Sequence, residues 1–339
     1  MKRILVTVAL LASLVAVAAG CGEKEDSTGK PRVESVDLML DFFPNADHVG
    51  IYAAIADGDF EKAGLKVSPR TPSDPSAPLK LLAAGKADLA ISYEPELLLA
   101  RDRGLKLVSV GAIVQKPLTS IIALGSAGID KPADLQGKKV GTAGIPYQSD
   151  YLKTILTEAK VNPNSVDEIN VGFNLVPAML SKRVAATLGG FWNYEGVQLS
   201  QRKKGPRPTI IPVDRAGVPT YNELIVVARK QDLANDGGKV RRFMRALTEG
   251  YEAARKDPAK AVDQLVKANP DLQRKLQLAS VKATIPAFFP ANERRPFGYQ
   301  DPRAWEVYGR WMLDNELIKD SPNAGARPFT NEFLPGQGI

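Results

Sequence analysis

Histidine and cysteine are almost missing from this chain of 339 residues, which has one of each, His48 and Cys21. A single cysteine excludes an intramolecular disulfide. So few His and Cys ligands also rule out a transition-metal site of the usual composition. No HExxH, CxxC, phosphate-loop or GxSxG pattern occurs, so the common metallohydrolase, redox, nucleotide and serine-hydrolase motifs are absent. No spaced acidic loop suggests a Ca²⁺ or Mg²⁺ site, and no metal or cofactor is expected. Charge of one sign is not concentrated either. The chain carries 45 basic and 38 acidic residues, and its basic residues cluster only briefly, as at Arg202-Lys203-Lys204 and Arg241-Arg242. Aromatics do not interleave with them, so the pattern reads as a solvated surface and no nucleic-acid partner is expected. Long apolar runs are lacking too, apart from Ile4–Gly20 at the N-terminus.

That one run is informative. Met1-Lys2-Arg3 is basic, Ile4–Gly20 is apolar, and Ala18-Ala19-Gly20 are small. This is the layout of a secretory signal over 1–20. Cys21 directly after it resembles a bacterial lipobox, with Ala18 where leucine is usual. The resemblance implies that Cys21 is lipidated and tethers the protein to the outer face of the cell membrane. The Cys21 thiol is then spent, so no Cys–His nucleophile pair remains. Gly22–Arg32 has no aliphatic side chain to bury, so 21–32 reads as a lipidated end plus flexible linker.

Residues 33–339 suffice for two domains. Val36–Leu40 alternates as a strand. A helix is predicted over 48–63, a short strand at Leu65–Val67, a helix over 77–84 stopped by Gly85, and a buried strand at Leu89–Ser92. A helix over 94–103 follows, with Pro95 in its first turn, and then strands at 107–114 and 121–124. A second series starts near Ile129. It has a strand leading to Gly141, a helix over 149–159, a strand around Val171, and a helix over 177–182. A strand at 186–188 and a helix over 194–201 complete it. Leu224–Ala228 is a further buried strand, and beyond it the chain is mostly helical, with helices over 241–256 and 303–317. Trp305, Tyr308 and Met312 form one stripe, which suits core packing. Alternating strands and helices predict mostly parallel sheets covered by helices. The helical tail has no sheet of its own, so it should pack back on the first lobe. Lobe one is therefore expected to be 33–122 plus 226–339, and lobe two 123–225, with two strands crossing at the hinge.

Five loops mix aromatics with a few polar groups, as small-molecule pockets do. They are Asp41–His48, Ser92–Glu96, Gly141–Ser149, Gly189–Glu195 and Pro219–Glu223. Several follow strand ends, the edge of an α/β sheet that faces a ligand. Tyr93 and Trp192 offer stacking faces. Glu195 can accept from an N–H/NH₂ edge. The glycines of the third loop, Gly144 among them, can leave backbone N–H groups aimed at a ligand.

Four segments, LDFFPNADHVGIYAA (40–54), GKADLAISYEPE (85–96), KPADLQGKKVGTAG (131–144) and GGFWNYE (189–195), resemble the solute-binding proteins of ABC importers. The likeness is greatest to the group that binds the pyrimidine precursor of thiamine, related to hydroxymethylpyrimidine synthases. It implies an α/β, two-lobed type II periplasmic-binding fold. A ring would be held between aromatics of both lobes, with polar anchors at Asn45, His48 and Glu195. The full expected ligand set is Phe42, Asn45, His48, Tyr93, Gly144, Tyr147, Trp192, Glu195 and Tyr221. Phe42 stands where the family often has Trp. The cysteine-rich, multi-histidine site of the related synthase is missing, so an enzyme is not expected. The implied function is a monomeric lipoprotein receptor that captures a 4-aminopyrimidine and delivers it to an ABC permease. Riboflavin or another small organic solute is the alternative ligand, and a pyrimidine-processing enzyme the rival from another class.

Overall fold

A computed structural model describes residues 33–202, 205–320 and 327–336. The expected signal over 1–20, Cys21 and the rest of the linker lie outside the described residues. In chain order the elements are β1 (Glu34–Met39), α1 (Val49–Ala56), α2 (Asp59–Lys62), β2 (Leu65–Arg70), α3 (Pro78–Ala83), β3 (Leu89–Ser92), α4 (Glu94–Asp102), β4 (Leu107–Val114) and β5 (Thr119–Ala123). There follow β6 (Lys139–Thr142), α5 (Pro146–Glu158), β7 (Asp167–Asn170), α6 (Leu175–Leu180), β8 (Ala186–Phe191), α7 (Glu195–Ser200), β9 (Thr209–Pro212) and β10 (Leu224–Arg229). The tail is α8 (Lys230–Lys256), α9 (Pro258–Ala268), α10 (Arg274–Phe288) and α11 (Pro302–Asp314).

The strands form two sheets, ordered β2-β1-β3-β10-β4 and β7-β6-β8-β5-β9. In the first, β1 runs parallel to β2 and β3, while β10 is antiparallel to both β3 and β4. In the second, β6 runs parallel to β7 and β8, while β5 is antiparallel to β8 and β9. Each sheet therefore has one reversed strand, and that strand is the one entering from the other lobe.

Burial follows strand position. β3, β4 and β5 are buried at every residue, as continuous apolar runs in a covered sheet require. The edge strand β7 (Asp-Glu-Ile-Asn) is charged and mostly exposed, which blunts pairing with another chain. β4 ends its sheet yet is not an open edge. Its Ser109 N–H donates to Pro328 O at 2.9 Å, and Ala112 N–H donates to Gly298 O at 2.8 Å, so the C-terminal segment covers it.

The tail packs on the first sheet's helices. Trp305, Tyr308 and Met312 are buried, and Trp305 stacks on Phe329 at 5.1 Å between centroids. α8 crosses α1 in close contact through two glycines. A Cβ on Gly250 would sit 2.0 Å from Gly50 O, and one on Gly50 would meet the Tyr251 ring at 2.3 Å.

Several boundaries differ from the sequence reading. The helix over 48–63 is broken at Gly58, whose φ of +74° interrupts helical geometry, so α1 and α2 are separate. The strand placed around Val171 is β7, which ends at Asn170. α8 starts at Lys230 and passes a kink at Asp236, just before Gly237-Gly238. β5 pairs wholly within the second sheet. The outward crossing is therefore at 115–118, before the 122/123 boundary, and the return precedes Leu224.

The crossings are tied together by one carboxylate. Glu223 Oε2 accepts from the N–H of Leu118 at 2.6 Å and of Thr119 at 2.7 Å, and its Oε1 accepts from the Thr119 hydroxyl at 2.9 Å. Beside it, Glu94 Oε2 accepts from the backbone and side-chain N–H groups of Asn222. Burial pushes Glu223 up to about 7 and Glu94 up to about 8.

Candidate functional site

The C-terminal ends of β1 and β3 lie side by side in the first sheet, since Met39 pairs with Ala90. That register delivers Asp41 and Tyr93 to one spot, and the Tyr93 hydroxyl donates to Asp41 Oδ2 at 2.7 Å. His48 Nε2 contacts Asp41 Oδ1 at 2.8 Å, while His48 Nδ1 accepts from the Asn45 N–H at 3.2 Å. An Nδ1 that accepts carries no proton, so His48 donates to Asp41 through Nε2. The Asn45 side chain accepts from Asp47 N–H and so closes the same turn as an N-cap.

Opposite stands a wall from the second lobe. The β8 strand brings Gly189 and Phe191 to one face, and α7 starts at Glu195. Glu195 Oε2 accepts from Phe191 N–H at 2.8 Å. Burial pushes Glu195 up to about 7. Gln148 Oε1 accepts from Ala143 N–H at 2.8 Å. Gly189 has φ +106°, and a Cβ there would lie 2.2 Å from Gln148 Nε2. Only glycine leaves room for that amide.

Between the walls is a narrow cavity. The first lobe lines it with Asp41, Phe42, Asn45 and Tyr93. The second lobe contributes Ile145, Gln148, Leu175, Gly189, Phe191, Tyr194 and Glu195, besides Ala143. Its lining holds two carboxylates, no lysine and no arginine. Aromatic contacts join the lobes at its rim: Phe42 with Phe173 at 4.6 Å, Phe43 with Tyr194 at 6.0 Å, and Tyr93 with Phe191 at 6.5 Å between centroids.

Of the expected ligand set, Phe42, Asn45, Tyr93 and Glu195 line this cavity. His48 is fully buried and does not line it, so it positions Asp41. Gly144, at φ +76°, lies against Asn170 and shapes the loop. Tyr147 and Tyr221 sit behind the wall. The Tyr147 ring is 5.5 Å from Tyr93, and the Tyr221 hydroxyl donates to Glu223 Oε2 at 3.1 Å. Trp192 points the other way. Side chains alternate along an extended chain, so placing Gly189 and Phe191 inward turns Trp192 outward. Its Nε1 donates to Pro117 O at 3.0 Å, and Lys116 Nζ lies 5.4 Å from its ring centroid. Trp192 therefore braces the hinge crossing, and Phe191 and Tyr194 take the aromatic positions. Asp41, Gln148, Phe191 and Tyr194 lie within loops picked out from the sequence, but strand parity and register were needed to single them out.

Comparison with known proteins fixes the family. Residues 45–261 match the family described as NMT1/THI5 like. The chain belongs to that family. It is 34% identical over 292 residues to the formylaminopyrimidine-binding protein of Halalkalibacterium halodurans, covering 85% of this chain and 87% of the relative. It is 35% identical over 286 residues to a putative thiamine biosynthesis protein of Haemophilus influenzae, covering 84% and 88%. Weaker likeness, 25% over 303 residues, reaches a 4-amino-5-hydroxymethyl-2-methylpyrimidine phosphate synthase of Legionella pneumophila, covering 88% and 92%. Among solved structures, the alkanesulfonate-binding protein SsuA of Xanthomonas axonopodis pv. citri bound to MOPS superposes with a TM-score of 0.64 at 15% identity, covering 85% of this chain and 95% of that one. This NMT1/THI5-like chain thus has the two-lobed α/β fold of periplasmic binding proteins.

Proposed function

We propose that the protein is an extracytoplasmic lipoprotein receptor of an ABC importer, which binds a 4-aminopyrimidine precursor of thiamine between its lobes and passes it to the permease unchanged. One observation carries the reading: Asp41 and Glu195 face one aromatic cavity from opposite lobes, with no cation in its lining. Such a site favours a flat, donor-bearing ring and opposes anions, which separates it from a sulfonate or phosphate site. The lobes would part by rotation about the Glu223 crossings, at 115–118 and just before Leu224. Lipidation of Cys21 would hold the receptor at the membrane.

The test is a thermal-shift and calorimetric series with 4-amino-5-hydroxymethyl-2-methylpyrimidine, its formylamino analogue, riboflavin and an alkanesulfonate. Pyrimidines should stabilise the protein and be recovered chemically intact. A shift with riboflavin or the sulfonate alone, or turnover of the pyrimidine, would overturn the assignment. Cys21→Ala should move the protein from membrane to soluble fraction.

A further inference from the structure

A second inter-lobe contact lies beside the cavity and is made of uncharged donors around one acid. Asp47 follows the Asn45 cap on the first lobe and is fully buried. Its Oδ1 accepts from Asn193 Nδ2 of the second lobe at 2.6 Å. The same Nδ2 donates to the Thr284 hydroxyl of α10 at 2.7 Å. Two atoms are left over: Asp47 Oδ2 and Asn193 Oδ1 are both buried without a hydrogen-bond partner. Two buried acceptors without partners, on side chains already joined by one hydrogen bond, are a desolvation cost that one shared proton removes.

We propose that Asp47 is held as the neutral acid in the closed protein, its Oδ2–H donating to Asn193 Oδ1, so that acid and amide form a two-point clasp between the lobes. Closure then takes up a proton at neutral pH. Parting the lobes withdraws Asn193, admits water and releases the proton.

The surroundings agree. The charged groups that act on Asp47 are Asp41, Glu195 and Glu223, all carboxylates. His48 is committed to Asp41. Tyr251 of α8 donates its hydroxyl to Asp47 O and does not reach the carboxyl. The cations of α9 and α10 (Lys260, Lys267, Arg274, Lys275 and Lys282) are exposed. α10 presents Gln277, Ser280 and Thr284 to this seam, all fully buried and none charged. Burial also raises the Asp47 carboxyl well above its ordinary value.

Asp47→Asn tests the clasp, because an amide makes both hydrogen bonds at any pH. Thermal unfolding of ligand-free protein between about pH 5.5 and 8.5 reads it. Asp47→Asn should match the parent at the acid end and lose less stability as the pH rises. It should also lack one protonated-carboxyl band in the infrared difference spectrum. Asn193→Asp should steepen the alkaline loss, since two facing carboxyls must share a proton. Parallel curves, or Asp47→Asn less stable than the parent at every pH, would overturn the proposal. The readout needs no ligand, so it stands apart from the ligand assignment. With 4-amino-5-hydroxymethyl-2-methylpyrimidine as probe, affinity should fall with pH in the parent more than in Asp47→Asn.

Discussion

The two walls of the cavity are held in place by different means. On the first lobe, side chains hold the carboxylate: Tyr93 and His48 both contact Asp41, while backbone groups fix the Asn45 turn beside it. On the second lobe, backbone holds side chains: Phe191 N–H fixes Glu195, Ala143 N–H fixes Gln148, and Gly189 makes room for that amide. The first arrangement gives a preset anchor. The second depends on loop conformation, and it carries Glu195, which burial pushes up to about 7.

That contrast can be broken from either side. The largest effect is expected for Gly189→Ala. It forces an L side chain into φ +106° against Gln148, and a cost of about 1–3 kcal/mol for the strain alone should appear as a lowered Tm and lost pyrimidine binding. Unchanged binding would show that Gln148 is dispensable. Glu195→Ala comes next. It removes the second lobe's acceptor, and affinity should weaken by about 1–3 kcal/mol with the fold intact, read by calorimetry. His48→Ala, on the first lobe, should lower Tm by leaving the Asn45 N–H unpaired while changing affinity less, because His48 does not touch the cavity. Trp192→Ala should do least, altering affinity about threefold or less through the hinge. A total loss of binding there would restore it to the ligand site.

A pH titration sharpens the same comparison. Glu195 and Glu223 titrate at about 7 and Glu94 at about 8, each raised from 4.5 by burial. Between 4.5 and those values the folded protein keeps protons that the unfolded chain has released. The stability from these groups is therefore complete below about pH 4.5 and lost as pH rises through 7 to 8. Tm should fall across that window, and a bound amine donor at Glu195 should recover part of the fall.

Much of the architecture was legible in the residues. β3, β4, β5 and β10 are apolar runs, and the Trp305-Tyr308-Met312 stripe is core. What escaped has physical causes. β9 is an edge strand ending in Pro212, so it lacks the apolar pattern of a covered strand, and the charged edge strand β7 was placed slightly too far along, around Val171. The start of α8 was hidden because Gly237-Gly238 interrupt its sequence at the kink. For the site, the strand-end loops were visible, but which side chain faces inward depends on parity. Trp192, the largest aromatic of its loop, was singled out, and its neighbour Phe191 occupies the cavity.

The placement of β10 between β3 and β4 governs how the protein is assembled. The chain emerges N-terminus first, and residues 119–212 carry every strand of the second sheet. That half can finish while the first half waits, its sheet split by a missing middle strand until residue 224 arrives. Incomplete sheets are slow to close and prone to wrong pairing. The first sheet is therefore the last to close, although its first strands are the first to be made.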